Sequence, residues 1–178
     1  MAVFTIGRST RSTEEFIGLL RQSDIGQVVD VRRIAGSNKY PQFNADSLAA
    51  SLEDSGIGYE HAEGLTGRRR VSKTVPFEVN EWWQNRSFHN YADHALSEEF
   101  ADALADLRKS AGEQNVAVMC SEAVWWRCHR RIIADHLLAH GDTVRHILGE
   151  ASIDEAQVSE GAVVSDSSVT YPSPASRA

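Results

Sequence analysis

The sequence predicts an α/β fold: a three-layer sandwich in which helices cover both faces of a mostly parallel sheet. Two observations lead there. Through the first 148 residues, short apolar runs alternate with amphipathic helical stretches, and strands joined through helices pair in parallel. The runs are also near-continuously apolar rather than alternating, as in strands covered on both faces.

Val3-Phe4-Thr5-Ile6 reads as the first strand, stopped by Gly7. Ser12 and Glu15 form a capping-box pair, and Phe16, Leu19 and Leu20 follow at helical spacing. Gln27–Arg32 is a second strand. Ala45–Ser55 is a helix with Leu48 and Leu52 on one face, and Ile57–His61 is a third strand. Residues 64–80 carry few regular signals and read as a long loop. Phe88–Ala95 and Glu98–Lys109 are helical, the latter with Phe100, Leu104 and Leu107. Asn115–Cys120 is a fully apolar fourth strand, Cys128–His140 a helix stopped by Gly141, and Thr143–Leu148 a fifth strand. The expected strand order is 3-2-1-4-5. From Gly149 to Ala178 the chain is acidic, with net charge −4 and seven serines. That composition predicts a tail that is mostly disordered, with a weak strand signal at Ala162–Val164.

The whole chain carries a net charge of −7, which excludes a uniformly basic nucleic-acid-binding surface. No apolar run is long enough to predict a membrane helix. The opening MAVFTIGRSTRS does not read as a secretory signal. Two cysteines, Cys120 and Cys128, do not make a disulfide scaffold, and the expected compartment is the reducing cytoplasm.

In open parallel sheets, ligands bind beyond the carboxyl ends of the strands where the order reverses, here between strands 1 and 4. Strand 1 is followed by Arg8 and Ser9. Strand 2 ends in Asp30, Arg32 and Arg33, and strand 4 ends in Cys120-Ser121-Glu122. The densest segment is Cys120 to Arg131, with Cys128, His129 and Arg130 expected in the first turn of a helix. A helix N-terminus favours anions and thiolates, and arginines offer forked contacts to phosphate or carboxylate. Cys120, Glu122 and His129 are therefore the candidate catalytic residues. Arg8, Ser9, Asp30, Arg32, Cys128 and Arg130 are the candidate ligand-binding residues. Either cysteine also fits a plain packing role. The six residues between Cys120 and Arg127 do not match the Cys-x5-Arg loop of phosphotyrosine-type phosphatases. His136 and His140 lie one turn apart, but His129 is about 10 Å further along the helix axis, so no metal site is expected. Whether a cofactor takes part is not legible in the sequence.

Taken together, these residues resemble the domain-of-unknown-function family 488 from about Val3 to Leu148. The landmarks are Thr5-Ile-Gly-Arg-Ser-Thr10, Asp30-Val-Arg-Arg33, Ser37, Pro41-Gln-Phe-Asn44, Leu65-Thr-Gly67, Phe88 with Tyr91-Ala-Asp93, and Cys120-Ser-Glu122 with Cys128-His-Arg130. The resemblance implies an α/β sandwich with a shared pocket at the strand ends, and it implies no particular activity. The chain departs from the family pattern at Arg8, where the family has His, at Ala35, where it has Pro, and at Thr66, where it has Gly. Arginine stays charged near neutral pH and cannot replace a histidine acid or base. Any such role would fall to His129, or the pocket would bind without turnover.

Three functions follow as expectations. The first is an enzyme acting on a small anionic ligand, phosphate- or carboxylate-bearing, such as a nucleotide or modified base. The second is a nucleic-acid-associated protein using the Arg68–Lys73 loop, with tryptophans Trp82, Trp83, Trp125 and Trp126 stacking bases or simply packing. The third is a non-catalytic ligand-binding module. Oligomeric state is not legible in the sequence.

Overall fold

Five strands pair in parallel in the computed structural model, which describes residues 2–177. They are β1 (Ala2–Gly7), β2 (Gln27–Asp30), β3 (Gly58–His61), β4 (Val116–Cys120) and β5 (Thr143–Gly149). A sixth, β6 (Ser152–Glu155), runs antiparallel to β5. The order across the sheet is β3-β2-β4-β1-β5-β6.

The α/β class and the mostly parallel sheet match the sequence reading, but the order 3-2-1-4-5 is corrected: β4 lies between β2 and β1. Every residue of β4 is buried, so the strand has both faces covered and both edges hydrogen-bonded. On one edge Gly7 is in register with Cys120, and on the other Asp30 is in register with Met119. The long connection after β3 supplies the chain needed to return across β2.

The helices are α1 (Thr13–Gln22), α2 (Ala45–Asp54), α3 (Arg86–His94), α4 (Glu98–Glu113) and α5 (Arg130–Ala139). The Ser12–Glu15 capping box forms as the sequence predicts, and Ser97 caps α4 through the Phe100 N–H. Phe16, Leu20, Phe43, Leu48 and Leu52 pack one face of the sheet, against Ile6, Val28 and Met119. Phe100, Leu104, Ile133 and Leu137 pack the other, against Val3, Val29 and Val118. This is the three-layer sandwich.

β2 is shorter than predicted because Asp30 Oδ1 accepts the Arg32 N–H at 3.0 Å, which turns the chain away from the sheet. α5 begins at Arg130, so Cys128 and His129 precede the helix rather than fill its first turn.

The expectation of a mostly disordered tail is also corrected. β6 covers the edge of β5, and β7 (Val163–Ser165) pairs with β8 (Ser168–Thr170) in a hairpin. Asp166 and Ser167 both have positive φ at its turn, a conformation that fits the twist of a two-residue hairpin. Beyond β8, Tyr171 is fully buried. Its hydroxyl donates to Asp135 Oδ2 at 2.7 Å, and its ring meets those of Trp82 and Trp83. One buried aromatic with a satisfied hydroxyl anchors a segment whose average composition argues against order.

Two predictions follow from the packing. Tyr171→Ala should lower stability by about 3–5 kcal/mol, as expected for removing a large buried aromatic, measured by urea denaturation. Burial holds both His136 and His146 down at about 4, against an ordinary 6.5; His140 contributes at His136 and Arg130 at His146. Between those values the unfolded chain takes up protons that the folded chain refuses. Stability should therefore be intact above pH 6.5 and fall as the pH drops towards 4, by up to about 3 kcal/mol per histidine. Denaturation at pH 7 and pH 5 checks this, and His136→Leu should flatten the dependence.

Candidate functional site

Alternation along β4 sends Val116, Val118 and Cys120 towards α4 and α5, and Ala117 and Met119 towards α1 and α2. After Cys120 the chain forms a loop, a 3-10 turn at Trp125–Arg127 and an extended Cys128 before α5. The loop is pinned to β1. Arg8 N–H donates to the Cys120 carbonyl at 2.9 Å and Ser9 N–H to the Ser121 carbonyl at 3.1 Å. A Cβ on Gly7 would collide with the Glu122 carbonyl, so this close approach requires glycine.

The loop brings Cys128 Sγ back to 2.7 Å from Cys120 Sγ, and both cysteines are free. His129 Nε2 lies 3.0 Å from the Val31 carbonyl. A carbonyl only accepts, so Nε2 carries the proton and Nδ1 faces Cys128 Sγ, at 3.6 Å. His129 occupies the cap position of α5 without making a side-chain cap. Instead the Arg130 N–H points at Cys128 Sγ, at 3.4 Å.

Arg130 is 1% exposed. Its Nη2 donates to the Glu122 carbonyl at 2.7 Å, and its Nε has no hydrogen-bond partner. Among the described residues no carboxylate ion-pairs with it. A buried cation in this position needs a compensating negative charge, and the Cys128 sulfur is placed to provide it. Burial pushes the Cys128 thiol up. The hydrogen bond from Cys120, the His129 ring and the Arg130 charge outweigh burial and hold the thiol well below its ordinary value. Burial and the bond to Cys128 push Cys120 the other way, well above its ordinary value. Of the two sulfurs, Cys128 is therefore the one favoured to give up its proton, and His129 Nδ1, facing it, is placed to receive that proton.

Both sulfurs line a cleft of about 370 Å³ at the carboxyl ends of β2 and β4. Arg32, Arg33, Arg68 and Arg127 also line it, and among its described lining residues Glu122 is the single carboxylate. Phe88, Tyr91 and His129 form an aromatic wall, with the Tyr91 and His129 rings 4.7 Å apart. The backbone at Gly67 closes directly on the His129 ring: a Cβ there would lie 2.8 Å from Nδ1.

Of the nine residues singled out from sequence, Cys120, Glu122, His129, Arg32 and Cys128 line this cleft. Asp30 and Arg130 are buried and contact residues that line it. Asp30 accepts from Arg32 Nε at 2.9 Å, from Arg32 Nη2 at 2.7 Å and from Tyr59 Oη at 2.6 Å, which fixes the Arg32 guanidinium. Arg8 and Ser9 do not line the cleft; their backbone N–H groups pin its loop. The Arg8 guanidinium lies over the Tyr40 ring, 4.8 Å from its centre, outside the cleft lining. Arg33, Arg68 and Arg127 were not among the nine. Arg68 belongs to a basic run that reads as a separate patch until the fold brings it over the strand ends. Its neighbour Arg69 is occupied elsewhere, donating to the Thr66 and Glu63 carbonyls.

These contacts predict which sulfur reacts. Iodoacetamide at pH 7 should alkylate Cys128 before Cys120, as followed by peptide mass spectrometry. Arg130→Met should slow that reaction about tenfold by removing the cation that favours the thiolate. Gly67→Ala should slow it several-fold by displacing the His129 ring.

The model of the domain of unknown function DUF488 matches residues 12–137. Comparisons with curated proteins and with solved structures returned no match. Among the described residues, no helix is long and apolar enough to cross a membrane. With the matched stretch running from the cap of α1 through the Cys120–Cys128 loop into α5, the chain belongs to the DUF488 family.

Proposed function

We propose that the protein is an enzyme acting on a small anionic molecule, phosphate- or carboxylate-bearing, such as a nucleotide or modified base. One observation carries this reading. A cysteine favoured as thiolate and a histidine share a cleft with four arginines and a single carboxylate. Arg32 is paired with Asp30, but no ion pair is found for Arg33, Arg68 or Arg127 among the described residues, and a shifted nucleophile beside such cations suits covalent catalysis on an anion.

Each residue then has a role. Arg33, Arg68 and Arg127 hold the anion at the mouth of the cleft, and Arg32, fixed by Asp30, holds it deeper. Cys128 Sγ attacks the electrophilic centre of the bound molecule. His129 Nδ1 accepts the thiol proton and returns it to the leaving group. Glu122 is a second proton acceptor on the same wall. Phe88, half-buried, offers an apolar face to a ring.

The packing of the tryptophans favours this reading over nucleic-acid association. Trp83 is buried, Trp82 packs against it, and Arg131 lies over both rings. Trp125 stacks on His146 with ring centres 4.4 Å apart. Three of the four rings are thus committed to the protein itself.

Pyrophosphate is the simplest probe of the cleft. It should raise the thermal midpoint of the native protein in fluorimetry. Arg33→Ala and Arg127→Ala should each weaken apparent affinity at least about fivefold, in the range of a lost charged contact. Arg21→Ala, at an exposed position of α1, should have no effect, and Cys128→Ala should retain binding. Equal losses at all positions, or no stabilisation of the native protein, would reject the site.

A further inference from the structure

The two thiols are closer than the proposed chemistry needs. A single nucleophile with a histidine suffices for covalent catalysis, and a packing cysteine would sit at ordinary contact distance. Cys120 Sγ and Cys128 Sγ are instead 2.7 Å apart, less than an ångström beyond the ~2.05 Å of a sulfur–sulfur bond. They come from different elements. Cys120 ends a rigid central strand, and Cys128 lies in the extended residue before α5. Cys128 itself lies outside the sheet, after the 3-10 turn at Trp125–Arg127, so closing the gap does not require the sheet to move.

We propose that Cys120 and Cys128 form a redox-active dithiol, oxidised by a hydroperoxide to an intramolecular disulfide. The proposal does not depend on the anionic-ligand reading, although oxidation would remove its nucleophile. In the first step Cys128 Sγ attacks the terminal oxygen of the hydroperoxide. A sulfur–oxygen bond forms, the oxygen–oxygen bond breaks, and the departing oxyanion takes the proton that His129 received from the Cys128 thiol. The products are a sulfenic acid on Cys128 and an alcohol, or water when the oxidant is hydrogen peroxide. In the second step Cys120 Sγ attacks the sulfenic sulfur. The disulfide forms, hydroxide leaves, and the Cys120 proton goes with it as a second product, water. The dithiol loses two electrons and the peroxide bond gains them.

The surroundings suit this chemistry. Cys128 and Cys120 are only 6% and 4% exposed but line the cleft, which admits a small oxidant more readily than a bulky disulfide. Arg130 and the cleft arginines favour both the attacking thiolate and the departing oxyanion. Cys120 is already in contact with the sulfur it must resolve, so the sulfenic acid has an immediate partner.

The test uses the full reduced chain and one equivalent of hydrogen peroxide at pH 7, followed by alkylation of remaining thiols in denaturant. Trypsin cuts after Arg127, so a Cys120–Cys128 disulfide appears as two linked peptides that dithiothreitol separates. The expected result is that species, with the loss of two hydrogens from the intact chain, formed at least about tenfold faster than free cysteine is oxidised. Cys120→Ser should stop at a sulfenic acid on Cys128, trapped by dimedone. Cys128→Ser should leave Cys120 reduced. The native-chain result stands even if a variant fails to fold. Both thiols intact when a free-cysteine control is fully oxidised, or disulfides only between chains, would overturn the proposal.

Discussion

β4 is hydrogen-bonded along both edges, to β1 on one side and β2 on the other. That central placement organises the site. The chain leaving β1 and β2 enters the layer of α1 and α2, whereas the chain leaving β4 enters the opposite layer with α5. The carboxyl end of β4 is therefore a point where neighbouring connections diverge, and a crevice opens between them. Cys120 is the residue at that point, and the ends of both neighbouring strands reach it. With β4 outside β1, the Asp30–Arg32 pair would stand a strand further from the cysteines.

The electrostatics of the crevice rest on an imbalance. The other buried arginine, Arg32, has its carboxylate in Asp30, at 2.7 Å. Arg130 has none among the described residues, and its Nε is unpartnered. In a chain of net charge −7, a cleft with four arginines and one carboxylate is a local reversal of the overall sign. The Cys128 sulfur, favoured as thiolate by these cations, is placed to answer part of that excess, and a bound anion would complete it. The same positive field, after burial itself, helps keep His146 uncharged behind Trp125.

Residues after β5 stabilise the layer that carries the site. Tyr171 and Ser159 both bond to Asp135 on α5, and Trp82 N–H donates to the Tyr171 carbonyl. The helix that presents Arg130 and the segment that leads to Phe88 are thus joined through an acidic segment with no cleft residue of its own. This explains why a serine-rich stretch can be ordered. Its few apolar and hydrogen-bonding groups meet partners already fixed by the core, so little chain entropy must be offset per contact.

Local signals in the sequence determined the elements, the fold class and the edge of the sheet where reactive residues collect. Capping at Ser12, the apolar run of Asn115–Cys120 and the polar strand ends are written in adjacent residues, and short-range physics reads them. Five of the nine expected site residues reach the cleft for that reason. Alternation along a strand also assigns each residue to a face, but it does not say which neighbour the strand acquires. Only the tertiary structure decided that β4 inserts between β2 and β1, and that Arg8 turns to Tyr40 while Arg68 and Arg127 face the cleft. It alone set the two sulfurs in contact. Those outcomes depend on long connections returning across the sheet and on burial shared among distant segments, and neither is encoded in any single stretch of chain.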